Sequence, residues 1–445
     1  MGKLFGTDGI RGIANTELTV EIALKLGEAS AYVLGKNKGI KVLIGRDTRQ
    51  SGPLIMQAIA TGLMSRGAEV IDLGIVPTPA VSYLIKKYKA DMGVMISASH
   101  NPSEYNGIKL FNNEGFKLPD KVEDEIEEYL LGKPIPTTKN IGVFSYRESA
   151  IEDYTNYLSK TAKNLDKDIK IVVDCAFGSA STCAPLLFDK LGVNATFINN
   201  DFDGRNINEN AGSTHLEGLI KKVKKQKATA GIAYDGDADR CLMVDEKGNI
   251  VDGDKIMAIS ALHLKKMGKL KQNALVGTVM SNLGLVKFCV ENDIKFERTK
   301  VGDRYVLEKM LEEKYSLGGE QSGHVIFLDH ANTGDGLLTS VQMLNIISKQ
   351  KEPLSKISSI MKTYPQVLVN VKVSEEAKKN YDNDKEVVSV IKKVEEDLKG
   401  DGRVLIRPSG TEPLIRVMIE GKEEKDIEEK ANKIASIIKK KYGIK

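Results

Sequence analysis

Residues 91–102 read DMGVMISASHNP. Asp91–Ile96, apolar or glycine at all but its first residue, runs into a polar turn closed by Pro102. A short apolar run bounded by turn residues predicts a buried strand. Upstream, Lys41–Asp47 (KVLIGRD) is a second such run. Pro53–Arg66 (PLIMQAIATGLMSR) then carries apolar residues at helical spacing and stops at Gly67. Glu69–Ile75 predicts another strand and Pro79–Lys89 another helix. Strand, turn and amphipathic helix in alternation describe a mostly parallel, doubly wound α/β layer. The SASHNP turn therefore falls at the carboxyl end of a strand, where open α/β sheets bind their ligands.

The same rhythm restarts twice. Ile169–Asp174, Asn194–Asn199 and Ala228–Tyr234 predict strands, with helices at Ser181–Leu191 and Leu216–Lys227. Asn273–Val279 and Ile294–Thr299 predict strands again, with helices at Leu283–Glu291 and Asp303–Lys314, and Tyr315–Gly319 leads into GGEQSGH. The tail differs. Val367–Val373, Gly402–Arg407 and Leu414–Glu420 are strand-like, Lys385–Leu398 is helical, and a last helix covers about 422–441. Its early Glu423 and Glu424 and late Lys439–Lys441 suit the helix dipole. This pattern gives three similar mixed or parallel α/β domains, 1–150, 151–252 and 253–366, and a smaller α+β domain, 367–445.

Composition limits the function. At 445 residues, with 41% hydrophobic and 28% charged, the chain is globular rather than disordered or fibrous. Sixty-five Lys and Arg against 61 Asp and Glu leave +4, no general pull on nucleic acid or on an anionic membrane. Trp is absent and aromatics are 6%, so base-stacking platforms are not expected. Cys175, Cys183, Cys241 and Cys289 form no CxxC pair or zinc spacing and read as core residues. No signal peptide or membrane span is expected from MGKLFGTDGIRG or from the apolar runs, and the expected location is the cytoplasm.

Five stretches carry chemistry. Asp235, Asp237 and Asp239 lie at i, i+2 and i+4 in DGDADR, after a predicted strand. Such carboxylates repel unless a hard cation neutralises them, and Mg²⁺ prefers oxygen ligands. An acidic turn is the plain alternative. A calcium loop is a second, with Glu246 at position 12, but position 6 is Arg240 rather than Gly. In SASHNP, Ser99 can act as nucleophile or phosphate carrier, with His100 beside it and Lys109 nearby in NGIK; a polar turn is the alternative. RPSGTEP (407–413), followed by Arg416, combines Arg, Ser, Thr and a Gly turn as in a phosphate cradle, or makes a hairpin. GGEQSGH (318–324) offers Glu320 and Ser322 to sugar hydroxyls. TDGIRG (7–12) presents Arg11 between glycines, or is a surface turn. No GxSxG, Walker loop or GxGxxG occurs, so a hydrolase triad and nucleotide motifs have no support.

The order TDGIRG, SASHNP, DGDADR, GEQSGH, RPSGTEP resembles that of the α-D-phosphohexomutase superfamily, from Thr7 to Arg416. GTDGIRGIAN, GVMISASHNP, TVMSNLG and GEQSGH are similar to the wording of its phosphoglucosamine mutase branch; phosphomannomutase/phosphoglucomutase relatives usually have Met where Gln321 stands. The resemblance implies four domains around a central cleft. It implies conversion of glucosamine 6-phosphate to glucosamine 1-phosphate through a Ser99 phosphoserine and a glucosamine 1,6-bisphosphate intermediate, for UDP-N-acetylglucosamine synthesis. It implies one Mg²⁺ on Asp235, Asp237, Asp239 and Ser99, with a sugar 1,6-bisphosphate as activator. His100 and Lys109 would transfer protons, Lys109 with a pKa lowered by neighbouring cations. Arg11 and Arg240 would offset charge, Glu320 and Ser322 would grip sugar hydroxyls, and Arg407, Ser409, Gly410, Thr411 and Arg416 would hold the non-reacting phosphate. The expected partner is a hexosamine phosphate, with a homodimer as the expected assembly and neither nucleic acid nor membrane involved. Rival readings are a phosphomannomutase/phosphoglucomutase, a non-catalytic phosphosugar sensor, and a magnesium-dependent phosphatase.

Overall fold

The computed structural model describes residues 4–6, 8–36, 38–409 and 413–444. Its first sheet contains β1 (Ile10–Ile13), β2 (Lys41–Arg46), β3 (Glu69–Ile75), β4 (Met92–Ile96), β5 (Tyr105–Asn112) and β6 (Val143–Tyr146), in the order β1-β5-β4-β2-β3-β6. β2 pairs parallel with β3 and β4, whereas β4, β5 and β1 pair antiparallel. Every residue of β4 is buried, which explains its unbroken apolar run. β5 (YNGIKLFN) gives no such signal. Asn106, Gly107 and Lys109 interrupt its pattern, although all three are buried.

The second sheet contains β7 (Lys170–Asp174), β8 (Asn194–Ile198), β9 (Ala230–Tyr234), β10 (Cys241–Asp245) and β11 (Ile250–Val251), in the order β11-β10-β9-β7-β8. β7, β8 and β9 are parallel, and β10 returns antiparallel on β9, with Cys241 opposite Tyr234. The acidic stretch 235–240 is thus a hairpin loop. No helix follows it, which removes the calcium-loop alternative. The third sheet contains β12 (Ala274–Thr278), β13 (Lys295–Thr299), β14 (Leu317–Gly319) and β15 (Val325–Phe327), in the order β13-β12-β14-β15. β14 and β15 pair antiparallel around residues 320–324.

The chain divides into two compact units. One holds the chain up to Met280 and again Asn292–Ile360, with the three sheets above. The other holds Ser281–Glu291 and the chain from Met361 onward. In this second unit β16 (Gln366–Lys372), β17 (Arg403–Pro408) and β18 (Leu414–Glu420) form an antiparallel sheet, β16-β18-β17. Helices Lys385–Asp397 and Glu424–Tyr442 close its core with Val387, Val394, Ile427 and Ile434. Residues 281–291, which the sequence reading counts with 253–366, dock here through hydrogen bonds. The Glu420 carboxylate accepts from Leu283 N at 3.1 Å, and Asn282 exchanges bonds of 2.9 and 3.0 Å with the Tyr364 backbone.

All four cysteines are buried. Among the described residues, no helix is long and apolar enough to cross a membrane.

Candidate active site

Ser99 sits where β4 turns into β5, in left-handed backbone at φ 52°. A non-glycine residue held there is strained, and the surroundings must enforce it. They do so with one buried arginine. Arg49, 1% exposed, donates from Nη2 to the Ser99 carbonyl at 3.1 Å and to the Asn101 carbonyl at 2.8 Å. Its Nη1 donates to the Pro102 carbonyl, and its Nε pairs with Asp47 at 3.0 Å. Asn208, from the second sheet's connections, donates to the same Ser99 and Asn101 carbonyls at 2.9 and 3.0 Å. The turn is gripped from both sides by side chains distant in sequence.

The acidic hairpin loop meets this turn directly. Ser99 Oγ donates to Asp235 Oδ2 at 2.7 Å. Gly236 makes the approach possible, because a Cβ there would lie 2.5 Å from the Ser99 carbonyl oxygen. Ala238, at φ 54°, bends the loop back, and Arg240 N donates to Asp235 Oδ1 at 3.2 Å. Asp235, Asp237 and Asp239 are all buried and each offers an oxygen within 4.8 Å of the others. At that separation each pair of charges repels by about 3–4 kcal/mol at an effective dielectric of ~20. Burial, then Asp239 and Asp237, push the Asp235 carboxyl well above its ordinary value.

The loop is partly neutralised from the first sheet. Lys109, 1% exposed on β5, places Nζ 2.8 Å from Asp237, 3.1 Å from Asp8 and 3.8 Å from Asp239. Burial pulls its ammonium down, but these three carboxylates outweigh burial and hold it above its ordinary value. That corrects the expected lowering: the near neighbours of Lys109 are anions. Asp8 also pairs with Lys117 and Arg11, and burial is outweighed there too, so its carboxyl is held well below the usual range. Lys117 in turn meets Asp303 at 2.6 Å. Gly9, at φ 81°, keeps the Asp8–Arg11 turn against β5; a Cβ would fall 2.2 Å from the Ile108 carbonyl oxygen. Thr78 adds a donor to Asp237 Oδ2 at 2.6 Å.

His100 Nδ1 lies 3.4 Å from Ser99 Oγ. Burial, then Arg240 and Arg11, push the imidazole down to about 4, so it is neutral at neutral pH. His324 Nε2 lies 3.0 Å from Gly334 N and 3.6 Å from Asp303, and its Nδ1 lies 3.6 Å from Asp239. Burial pulls the imidazole down, but Asp239, then Asp303 and Glu320, outweigh it and hold it up at about 9. Glu320 Oε1 accepts from Gly302 N at 3.1 Å, while Gln321 Nε2 donates to Asp252 Oδ2 at 3.2 Å.

The cluster leaves unused valence of both signs. Asp237 Oδ1 and Asp239 Oδ1 are buried and accept no hydrogen bond. Arg11 Nε, Arg240 Nε and Ser322 Oγ are buried and have no hydrogen-bond partner. All-oxygen donors, two carboxylate oxygens that accept no hydrogen bond, and a repulsion that Lys109 and, at 3.9 Å, Arg240 only partly offset fit a hard divalent cation. Idle cationic donors and an idle hydroxyl fit an anionic, hydroxylated ligand.

In the second unit, Arg407 and Arg416 stand directly opposite each other on β17 and β18. Like charges opposed on neighbouring strands destabilise a sheet unless an anion is shared. Burial, then Arg416, lowers the Arg407 guanidinium. Ser409, 3% exposed, bonds from N to the Leu414 carbonyl at 2.8 Å. Gly410 and Thr411 lie outside the described residues.

The sequence reading assigns no role to Asp8, Arg49, Thr78, Lys117, Asp303 or His324. Asp8 and His324 stand inside quoted motifs and could have been taken with them. Thr78 carries no local signal, since its partner lies 159 positions away; Arg49 has one local partner, Asp47, but the turn it grips lies 50 to 53 positions away.

Four successive domain profiles of the phosphoglucomutase/phosphomannomutase family match the chain. The alpha/beta/alpha domains I, II and III match residues 2–133, 152–248 and 252–364, and the C-terminal domain matches 368–437. A phosphoglucosamine mutase of Caldicellulosiruptor saccharolyticus is 54% identical, covering 100% of both chains. One from Ruminiclostridium cellulolyticum is 52% identical, covering 98% of this chain and 99% of its own. A solved phosphoglucomutase/phosphomannomutase family protein of Burkholderia thailandensis is similar with a TM-score of 0.80 at 25% identity, over 98% of each chain. The fold also matches N-acetylphosphoglucosamine mutase of Aspergillus fumigatus, solved with GlcNAc-6P and magnesium, at a TM-score of 0.69 and 16% identity over 98% and 95%. With all four domains matched in order and full-length relatives sharing over half its residues, the chain belongs to the phosphoglucomutase/phosphomannomutase family, among its phosphoglucosamine mutases.

Proposed function

We propose that this mutase interconverts glucosamine 6-phosphate and glucosamine 1-phosphate in the cytoplasm, with Ser99 as its phosphoryl carrier. The contact of Ser99 Oγ with Asp235 at 2.7 Å, inside a triad of converging carboxylates, supports this reading above all. In the resting enzyme Ser99 carries a phosphoryl group. The O1 hydroxyl of glucosamine 6-phosphate attacks the phosphorus, the P–Oγ bond breaks and the P–O1 bond forms. His100, neutral and beside Oγ, takes the O1 proton and passes it to the departing Oγ; on the return transfer the proton goes back from Oγ through His100 to O6. The resulting 1,6-bisphosphate turns over, and its O6 phosphoryl returns to Ser99 Oγ, leaving glucosamine 1-phosphate.

Asp235, Asp237 and Asp239, with Ser99, would hold Mg²⁺. When bound, Mg²⁺ supplies positive charge against the oxygens of the transferring group. Phosphoryl transfer needs positioning and charge balance more than covalent help. Lys109 serves here as a fixed cation, since its carboxylate neighbours keep its proton in place. Arg11 and Arg240 turn their idle donors to the transferring phosphate. Glu320 and Ser322 hold two sugar hydroxyls in either orientation, and Gln321 ties their loop to Asp252. Arg407, Ser409 and Arg416, with Gly410 and Thr411, bind the phosphate that is not reacting. A sugar 1,6-bisphosphate recharges Ser99 when the intermediate escapes.

The test is a mutase assay with Mg²⁺ and trace sugar bisphosphate on glucosamine, glucose and mannose phosphates. A kcat/KM preference for glucosamine phosphate above about tenfold, ~1.4 kcal/mol of transition-state binding, is expected. Equal or reversed preference overturns the substrate assignment.

A further inference from the structure

A cavity of about 360 Å³ lies between helices Gly253–Lys266 and Gly336–Gln350 and shares no residue with the catalytic loops. Its charged lining is of one sign. Lys160, Lys163 and Lys269 line it together with His263 and His330, and no carboxylate does. The three lysines are exposed, and none has an ion pair among the described residues. The neighbouring Asp329 is already paired with Lys271. Two further lysines, Lys266 and Lys349, add to the local field. Burial first, then Lys349, Lys163, Lys266 and Lys269, hold the His263 imidazole below its ordinary value. His330 is lowered in the same way by burial, with Lys163 and Lys269 contributing and Asp329 opposing. A concave site of one sign focuses its potential and raises the local concentration of counter-ions.

The floor differs from the rim. Leu264, Met267, Phe327 and Ile346 give it an apolar face. Gln342 and Asn345 are locked beside this face by bonds of 3.0 Å to Thr161 Oγ1 and the Thr161 carbonyl. An apolar floor beneath a cationic rim matches a ligand with a flat, weakly polar body and a multiply charged phosphate tail. Inorganic phosphate would use only the rim.

Both walls lead to the catalytic loops. Helix Gly253–Lys266 begins with Gly253 N donating to the Gln321 carbonyl at 3.0 Å and ends at the cavity with His263 and Leu264. Helix Gly336–Gln350 begins with Gly336 N donating to the Ala238 carbonyl at 3.0 Å, in the acidic loop, and gives the cavity Gln342, Asn345 and Ile346. Each is a rod with one end on the chemistry and the other on the cavity.

We propose that this cavity is an effector site for a nucleoside diphosphate, which binds with its base on Leu264, Met267, Phe327 and Ile346 and its phosphates among Lys160, Lys163 and Lys269. The experiment is calorimetric titration of the full chain with ADP and, separately, with pyrophosphate, in saturating glucose 1,6-bisphosphate to fill the catalytic site. The Lys163→Glu/Lys269→Glu variant runs alongside. Both lysines are solvent-exposed, so the double variant keeps wild-type basal turnover and thermal midpoint. One ADP per chain is expected, bound more tightly than pyrophosphate. Reversing the two charges weakens ADP binding by roughly tenfold or more, about 1.4 kcal/mol. ADP also changes mutase kcat/KM in the wild type and not in the double variant. No saturable binding, binding unchanged in the double variant, equal affinity for pyrophosphate, or turnover indifferent to ADP would each overturn the proposal. The binding arm requires no turnover, so it stands apart from the mutase assignment.

Discussion

Arg49 offers the deepest test of how the fold holds its nucleophile. It touches neither the Ser99 hydroxyl nor the triad, yet its guanidinium gathers the carbonyls of Ser99, Asn101 and Pro102 and the Asp47 carboxylate. Both Arg49 and Asp47 side chains are 0% exposed. Replacing Arg49 with Met keeps the apolar stem but removes every donor. Breaking one side of a buried ion pair costs about 3–5 kcal/mol, because the remaining charge stays buried. For a unit of about 350 residues, with an unfolding entropy of ~2.1 cal/mol/K per residue, that corresponds to a fall in thermal midpoint of roughly 4–7 °C. The catalytic loss is separate. Asn208 still grips the Ser99 carbonyl, but the left-handed turn loses its second clamp. A nucleophile displaced by even 1 Å costs about 10²-fold in rate. Arg49→Lys, which keeps the charge but loses the fork, should fall between the two. The assays are thermal unfolding and kcat measured per folded molecule at a temperature where the variant is fully folded. A wild-type midpoint would refute the buried-pair reasoning. A lowered midpoint with unchanged kcat would refute the positioning role.

Two other perturbations read different parts of the account. Asp237→Asn removes charge from the triad and from Lys109 together, and should weaken Mg²⁺ binding by at least about tenfold alongside activity; an unchanged metal titration removes Asp237 from the site. Asp335 caps helix Gly336–Gln350 at Leu338 N and accepts from Tyr154, both at 2.8 Å, and burial pushes its carboxyl up to about 6. The unfolded carboxyl titrates near ~4, so the folded chain binds more protons between the two values, and this contribution to stability is lost as pH rises through that window. Asp335→Asn keeps an N-cap and abolishes the titration. Its stability relative to wild type should therefore rise by about 2–3 kcal/mol between pH 4 and pH 7. Parallel denaturation curves across that range would contradict the buried-carboxyl reading.

Much of this was legible in sequence, and the remainder was not, for a common reason. β2, β3 and β4 announce themselves because parallel strands buried on both faces are unbroken apolar runs. β5 does not, because it buries Lys109 at a position where a strand in an ordinary core would carry an apolar residue. The triad and Ser99 could be picked out as loops at strand ends. Their convergence depends on Gly236 approaching the Ser99 carbonyl from another sheet, and no local pattern encodes that distance. The pKa of Lys109 was expected to move the wrong way because the sequence shows neighbouring cations in TDGIRG and DGDADR but hides that their carboxylates lie nearer. Gln321, which carries the branch wording, points its amide at Asp252, so its part in the site is to support a loop.

Phosphate on Ser99 is the most direct test of the central claim. The chain would be incubated with ³²P-labelled glucose 1,6-bisphosphate and Mg²⁺, digested, and the labelled peptide sequenced, with a chase of unlabelled glucosamine 6-phosphate. One label per chain is expected, on Ser99, which the chase transfers to sugar at the rate of turnover. Turnover without label on Ser99, or a Ser99→Ala variant that still turns over, would contradict it.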